Sequence, residues 1–199
     1  MIKTSLHPWL VGVALSLLAC RPSNAPAVTL HCPPATTSTV ARDSSAGLCL
    51  PAGFQRLRPD VDIGRDAWKR GAPGAVSYAW ISLHVLDSVE AAREWGVPPR
   101  PRPLRESDEP DAVDRVTTDS VVSHRTKIGG RAVDVETGLL TGGWNGMHRQ
   151  PHVRAVWPVG DGRWVSVQGG GRTPQAVDSL RAVVSSVQVA AVSHREAAP

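Results

Sequence analysis

The chain has only one long apolar run, and that run is too short for a permanent membrane span. It covers residues 10–19 and is ended by Arg21 and Pro22, whereas a bilayer-spanning helix needs about 20 apolar residues. Lys3 is the one charged residue before it, which gives the positively charged start of a secretory signal. We therefore predict a cleaved signal peptide over residues 1–19 and export of the remainder.

Cysteine is scarce: the chain holds three, and the first stands at the end of the apolar run. The sequence Leu17-Leu18-Ala19-Cys20 resembles the lipobox of bacterial lipoproteins. That resemblance implies that Cys20 carries fatty acids such as palmitate, and several acyl chains give stable membrane anchoring. Arg21 stands where inner-membrane lipoproteins commonly have aspartate, so the resemblance also implies a periplasm-facing location on the outer membrane.

The other two cysteines are Cys32 and Cys49. Disulfides persist in oxidising compartments, and in an exported chain we predict that these two cysteines are paired. Closing a loop of this size stabilises a protein by roughly 3 kcal/mol in the chain-entropy model.

Charge of one sign is not in large excess, and several catalytic motifs are missing. The 22 Lys and Arg and 18 Asp and Glu are interspersed, which argues against a nucleic-acid partner. The sequence has no Gly-x-Ser-x-Gly, no Gly-x-x-x-x-Gly-Lys and no His-Glu-x-x-His, so it carries no signature of an α/β-hydrolase, a P-loop protein or a zincin. No cofactor is predicted.

Composition divides the exported chain into three segments. Residues 20–46 contain the lipidated Cys20 and are rich in Pro, Ser, Thr and Ala, which predicts a flexible tether. Residues 47–190 predict a single domain, and residues 191–199 predict a disordered tail.

Periodicity predicts three main elements of this domain. Alternating apolar residues favour a central strand over 75–86. Asp87 and Glu90 form a capping-box pattern at the start of a short helix. Pro174 favours the first position of a C-terminal helix, whose apolar stripe over 176–187 requires burial.

Gly129-Gly130 and Asp161-Gly162 are two-residue signals for β-hairpin turns. The pairs expected in the first hairpin are Ile128 with Arg131, His124 with Val135, and Arg125 with Asp134. Those expected in the second are Gly160 with Arg163, Val159 with Trp164, and Trp157 with Ser166. Trp157 and Trp164 would then share one face of the sheet.

These elements predict an α+β domain: an antiparallel sheet of about five to seven strands, with a long C-terminal helix packed on one face and a short helix near the other. Two segments, Leu50-Pro51-Ala52-Gly53-Phe54 and Asp161-Gly162-Arg163-Trp164-Val165-Ser166-Val167, together with the terminal amphipathic helix, resemble the PsbP-like fold. The resemblance implies a non-enzymatic binding or assembly protein and transfers no functional residue.

Aromatic residues are few except for tryptophan: seven Trp stand against one Phe and one Tyr. The expected strand faces place Tyr78, Trp80, Trp157 and Trp164 opposite the C-terminal helix. One interpretation is a second core layer, closed by the short helix and by the loop that carries Trp144. The other is a partly open groove, in which these indoles bind a glycan, an apolar ligand or an envelope protein.

Two sets of polar residues are candidates for chemistry. His148 and His152 are weak candidates for a zinc site, to which His84 and His124 could add ligands. Asp134 and Glu136 lie two apart on one strand face, as paired carboxylates for acid and base catalysis would. Arg125 opposite Asp134 favours an ordinary solvated ion pair instead.

The sequence thus favours a membrane-anchored envelope lipoprotein whose domain is a non-catalytic binding or scaffolding module. The alternative is a metal-dependent or hydrolytic envelope enzyme that uses His148 and His152. No metal is assigned in the favoured interpretation.

Overall fold

The computed structural model describes residues 28–58, 66–101, 116–142 and 150–190. The predicted signal peptide over 1–19, the lipidation site Cys20 and the predicted tail over 191–199 lie outside these ranges. So do two predicted site residues, Trp144 and His148.

The described residues form an α+β structure with two antiparallel sheets and two helices, which confirms the predicted class. The strands are β1 Thr36–Val40, β2 Ala46–Pro51, β3 Gln55–Arg56, β4 Asp66–Arg70, β5 Ala79–Leu86, β6 Val116–Ile128, β7 Arg131–Gly142, β8 Gln150–Gly160, β9 Arg163–Gly171 and β10 Gln188–Val189. The helices are α1 Ser88–Trp95 and α2 Pro174–Ser185. A seven-stranded sheet has the order β3-β4-β5-β9-β8-β7-β6, and a three-stranded sheet has the order β1-β2-β10.

The first predicted hairpin, β6 with β7, has the expected register. Ile128 lies opposite Arg131, His124 opposite Val135, and Arg125 opposite Asp134. Gly129 and Gly130 have positive φ values of 55° and 80°, as a two-residue type I′ turn requires. The turn therefore fixes the register, as predicted.

The register predicted for the second hairpin, β8 with β9, is wrong by one residue. Gly160 lies opposite Arg163 as expected, but a register shift follows between Pro158 and Gly160, so that Trp157 lies opposite Val165. Val159 is the extra residue of a β-bulge, which changes the face on which every earlier side chain of β8 lies.

The main core lies between α2 and one face of the seven-stranded sheet. Thr173 Oγ1 caps α2 by accepting from Ala176 N at 3.3 Å, and Pro174 occupies the first turn. The buried residues of α2 pack with those of the central strands. The members of this cluster include Val177, Leu180, Val183, Val184, Ile81, Leu83, Val165, Val167 and Trp157. Each such side chain contributes roughly 1.5–3 kcal/mol on burial.

The opposite face of the sheet is covered in part by α1, whose start matches the predicted capping box. Asp87 Oδ1 accepts from the backbone of Val89 and Glu90, each at 2.8 Å. Glu90 Oε2 accepts from Asp87 N at 3.1 Å. A second apolar cluster then forms between helix and sheet, and its members are Leu86, Ala91, Trp95, Val156 and the half-buried Trp164.

The tether predicted over 20–46 is wrong in its C-terminal part. Thr36–Val40 pairs antiparallel with β2, from Thr36 opposite Pro51 to Val40 opposite Gly47. The β-branched Thr and Val of this segment favour a strand, and Cys32 is joined by a disulfide to Cys49 in β2 with a Cα–Cα distance of 5.5 Å. The predicted pairing of Cys32 with Cys49 is thus present, and it fixes the segment to the domain.

Removing this disulfide should destabilise the domain by about 3 kcal/mol, because the unfolded chain regains the freedom that the cross-link removes. The comparison is between Cys20→Ser and Cys20→Ser/Cys32→Ala/Cys49→Ala, with the urea midpoint as the measurement. Reduction of the first variant with dithiothreitol is the matched control and should give a similar loss. Two reactive thiols in the native first variant would contradict the pairing.

Candidate functional site

Buried and half-buried polar side chains lie on the sheet face next to α1, and we call the six described next the polar layer. Its members are Glu94 of α1, Glu136 of β7, His152 and Arg154 of β8, and Ser166 and Gln168 of β9. Arg154 lies opposite Glu136 on one side and opposite Gln168 on the other. The exposed fractions of His152, Glu136 and Arg154 are 0%, 3% and 8%.

Glu94 connects α1 to the sheet. Its Oε1 accepts from Ser166 Oγ at 3.1 Å and from Gln168 Nε2 at 2.9 Å. Ser166 Oγ in turn accepts from Trp95 Nε1 at 3.2 Å. Two consecutive helix residues are therefore bonded to the same strand, which fixes the position of α1 as well as covering the apolar cluster.

Arg154 lies between the two carboxylates of the polar layer. Its Nη1 is 3.7 Å from Glu136 Oε1, and its guanidinium lies over the Trp95 ring at 4.8 Å from the ring centroid. Desolvation by burial lowers the pKa of Arg154 from its ordinary value, while the charges of Glu136 and Glu94 oppose that shift. These two charges and the indole face compensate part of the cost of burying the cation.

His152 and Glu136 form the deepest part of the polar layer. His152 Nε2 is 3.6 Å from Glu136 Oε1, which is longer than a hydrogen bond, and both ring nitrogens of His152 are buried without a hydrogen-bond partner. On β9, His152 lies opposite Gly170. A Cβ at Gly170 would be 2.9 Å from Trp80 Nε1. The Trp80 indole therefore packs here because Gly170 has no side chain.

The predicted carboxylate pair is divided between two environments. Glu136 belongs to the polar layer, whereas the side chain of Asp134 is 57% exposed with Oδ1 at 3.7 Å from Arg125 Nε. The solvated cross-strand pair is thus the correct interpretation of Asp134. His84 lies on β5 opposite Ser166, while His124 lines a cavity with Arg181 and Ser185 of α2.

The described part of the chain contains no group of three or more His, Cys, Asp or Glu side chains that could hold a metal ion. His152 is therefore placed beside one carboxylate, Glu136, and not within a set of ligands among these residues.

The predicted aromatic groove is not assembled as expected. Trp80 and Trp164 lie on the α1 face, but Trp80 is at one end of β5 and Trp164 is opposite Leu86 at the other end, roughly 20 Å apart along the strand. Tyr78 precedes β5 in a turn, where its backbone N donates to Ala75 O at 3.0 Å. Trp157 lies on the other face because of the bulge at Val159.

Trp157 instead forms the floor of a cleft of about 550 Å³ at the tips of the two hairpins, which we call the hairpin-tip cleft. Its floor consists of the apolar side chains of Ile128, Trp157 and Val187, which are only 2–4% exposed. Its rim consists of the two turns and of 188–190 after α2. This volume is within the range of small-molecule sites, about 300–1,000 Å³.

Two arginines and one carboxylate line the hairpin-tip cleft. Arg131 Nη2 donates to Val159 O at 3.3 Å, and Arg163 Nη2 donates to Ala190 O at 3.5 Å. Arg163 Nε is buried and has no hydrogen-bond partner. Asp161 is the carboxylate, so positive charge exceeds negative charge at the cleft.

The hairpin-tip cleft is not predicted from the sequence. One signal was present, because Val153, Ala155 and Trp157 alternate with the polar His152 and Arg154. That alternation favours one apolar face containing Trp157, and it conflicts with the register counted from the turn.

No protein-family model matches the chain, and no curated protein matches it. A crystal structure from Bacteroides thetaiotaomicron VPI-5482 is similar, with 10% identity and a TM-score of 0.47 over 79% of this chain and 49% of that one. This chain thus spans about half the length of that protein.

Two other similar structures are more completely covered. Cyanobacterial PsbP (CyanoP) from Synechocystis sp. PCC 6803 has 9% identity and a TM-score of 0.44, over 78% of this chain and 92% of that chain. LpqN, involved in cell envelope biogenesis of Mycobacterium tuberculosis, has 11% identity and a TM-score of 0.45, over 78% and 91%. Similarities of this size transfer no function to this chain.

Neither helix in the described ranges has the length and apolar character needed to cross a membrane.

Ser166→Ala should destabilise the domain by about 1–3 kcal/mol, because it leaves the buried Trp95 Nε1 without its acceptor and removes a donor to Glu94. Ser179→Ala is the matched control: Ser179 is an exposed residue of α2 that donates to Gln175 O at 3.0 Å, and its loss should change the free energy of unfolding by less than about 0.5 kcal/mol. Urea unfolding followed by tryptophan fluorescence measures both. Equal effects of the two substitutions would contradict the role assigned to Ser166.

Proposed function

We propose that this chain is a bacterial envelope lipoprotein, attached to the outer membrane through lipids on Cys20 and facing the periplasm. Its domain binds an envelope protein or a small apolar or glycan ligand and does not catalyse a reaction. The lipobox-like Leu17-Leu18-Ala19-Cys20 supports the anchor. Binding at a membrane surface then gains from the high effective concentration that anchoring provides.

The disulfide supports export. Cys32 and Cys49 are joined, and structural disulfides are typical of oxidising compartments such as the periplasm. Because Cys32 is 12 positions after Cys20 in the sequence, a lipid on Cys20 would place the folded domain close to the membrane surface.

The observation that carries the binding role is the hairpin-tip cleft. It combines a buried apolar floor with an accessible charged rim, which is the usual composition of a ligand site. A buried titratable pair lies elsewhere: His152 and Glu136 are 0% and 3% exposed and are not part of the hairpin-tip cleft. The accessible cavity therefore favours recognition over catalysis.

The anchor is tested by labelling cells that express the full chain with radioactive palmitate. The wild-type protein should be labelled and should fractionate with the outer membrane, and Cys20→Ser should lose the label because no thiol remains for acylation at that position.

Cys32→Ser is the matched control for this experiment. It removes a cysteine of the disulfide and leaves the lipobox intact, so it should keep the palmitate label. An unlabelled wild-type chain, or a Cys20→Ser chain that is still labelled, would refute the proposed anchor.

A further inference from the structure

We infer that the hairpin-tip cleft binds an anionic amphiphile, in which a single carboxylate-like group is joined to an apolar chain or ring. This inference rests on the proposed binding function and names the chemical class of its ligand. The cleft is distinct from the polar layer, because Trp157 and the polar residues of β8 lie on opposite faces of the sheet.

The bulge at Val159 creates the apolar part of the cleft. In a hairpin without the bulge, Trp157 would lie opposite Ser166, on the α1 face. The observed register places it opposite Val165, beside Ile128 and Val187. β-Bulges commonly re-aim a side chain next to a functional site, and here the bulge places the Trp157 indole, which is 4% exposed, in the apolar floor of the cleft.

Two arginines supply the anion-binding part. Arg131 is on the exposed rim, whereas Arg163 is half-buried, and its Nε hydrogen is the unsatisfied donor of the cleft. A buried donor without an acceptor is costly, and a shift of the Arg163 guanidinium toward a carboxylate in the cleft would replace the missing bond with a charge-assisted one. The ligand's anionic group therefore lies at Arg163, with its apolar part over Trp157.

Asp161 limits the charge of the ligand. It lines the same cleft as the two arginines, so a second negative charge on the ligand would meet a carboxylate at the rim. A head group with one negative charge therefore balances two cations and one anion. A cationic head group would be repelled by the two arginines.

The experiment measures displacement of anilinonaphthalene sulfonate, a fluorescent aromatic anion, from the full chain carrying Cys20→Ser. Dodecanoate below its micellar concentration should displace the dye. Dodecyltrimethylammonium, which has the same apolar chain and the opposite charge, should displace it at least about tenfold less effectively. Phosphatidylcholine vesicles with and without phosphatidylglycerol form a further arm, which distinguishes a free amphiphile from a lipid head group in a bilayer.

Arg163→Gln and Arg131→Gln test the assigned groups. Loss of a charge-assisted hydrogen bond should weaken dodecanoate binding about tenfold or more for Arg163→Gln, and less for the exposed Arg131. Arg125→Gln is the matched control: Arg125 is in the same hairpin as Arg131 but faces Asp134 outside the cleft, so binding should stay within about twofold.

Thermal unfolding and near-ultraviolet circular dichroism establish whether each variant is folded. If Arg163→Gln does not fold, Arg131→Gln still tests the inference, because Arg131 is exposed. The inference is overturned if the cationic amphiphile competes as well as dodecanoate, if neither dodecanoate nor the anionic vesicles displace the dye, or if Arg125→Gln weakens binding as much as the cleft variants. Each of these results leaves palmitate labelling of Cys20 unaffected, so failure here is distinct from failure of the proposed anchor.

Discussion

The pairing of β8 with β9 determines which side chains enter the α2 core and which lie under α1. Side chains alternate along a strand, so the single extra residue Val159 exchanges the two faces of β8. With the bulge, the side chain of Trp157 joins the core cluster. Without it, Arg154 and His152 would lie on the aliphatic face beneath α2, where an unpaired guanidinium costs several kcal/mol.

On the α1 face, the same register gives Arg154 partners of complementary charge. Its position between Glu136 and Glu94 places one cation between two carboxylates, and Trp95 covers its plane. Buried ion pairs add little net stability, yet removing one partner leaves an uncompensated charge. The polar layer therefore restricts α1 to one position on the sheet. The small apolar cluster beside it stabilises the contact by burying apolar surface.

Local signals predicted the parts of the fold that depend on local chemistry. The capping box at Asp87 and the register from Gly129-Gly130 are confirmed because a few adjacent residues decide each of them. The bulge at Val159 has no comparable turn signal. The strand Thr36–Val40 was missed because its Ser and Thr content also suits a linker, and its partner β2 supplies the hydrogen bonds. The hairpin-tip cleft includes Val187, which follows α2 in the chain and lies beside the first hairpin. No spacing in the sequence predicts that these two segments lie together.

The Cys32–Cys49 bond also determines how mechanical load enters the domain. β1 is an edge strand paired only with β2, so without the disulfide one ladder of hydrogen bonds would hold it to the domain. Cys32 precedes β1, whereas Cys49 lies inside β2. Tension from the preceding chain therefore passes through a covalent bond to Cys49 in β2, and residues 33–48, which include all of β1, are outside this covalent path.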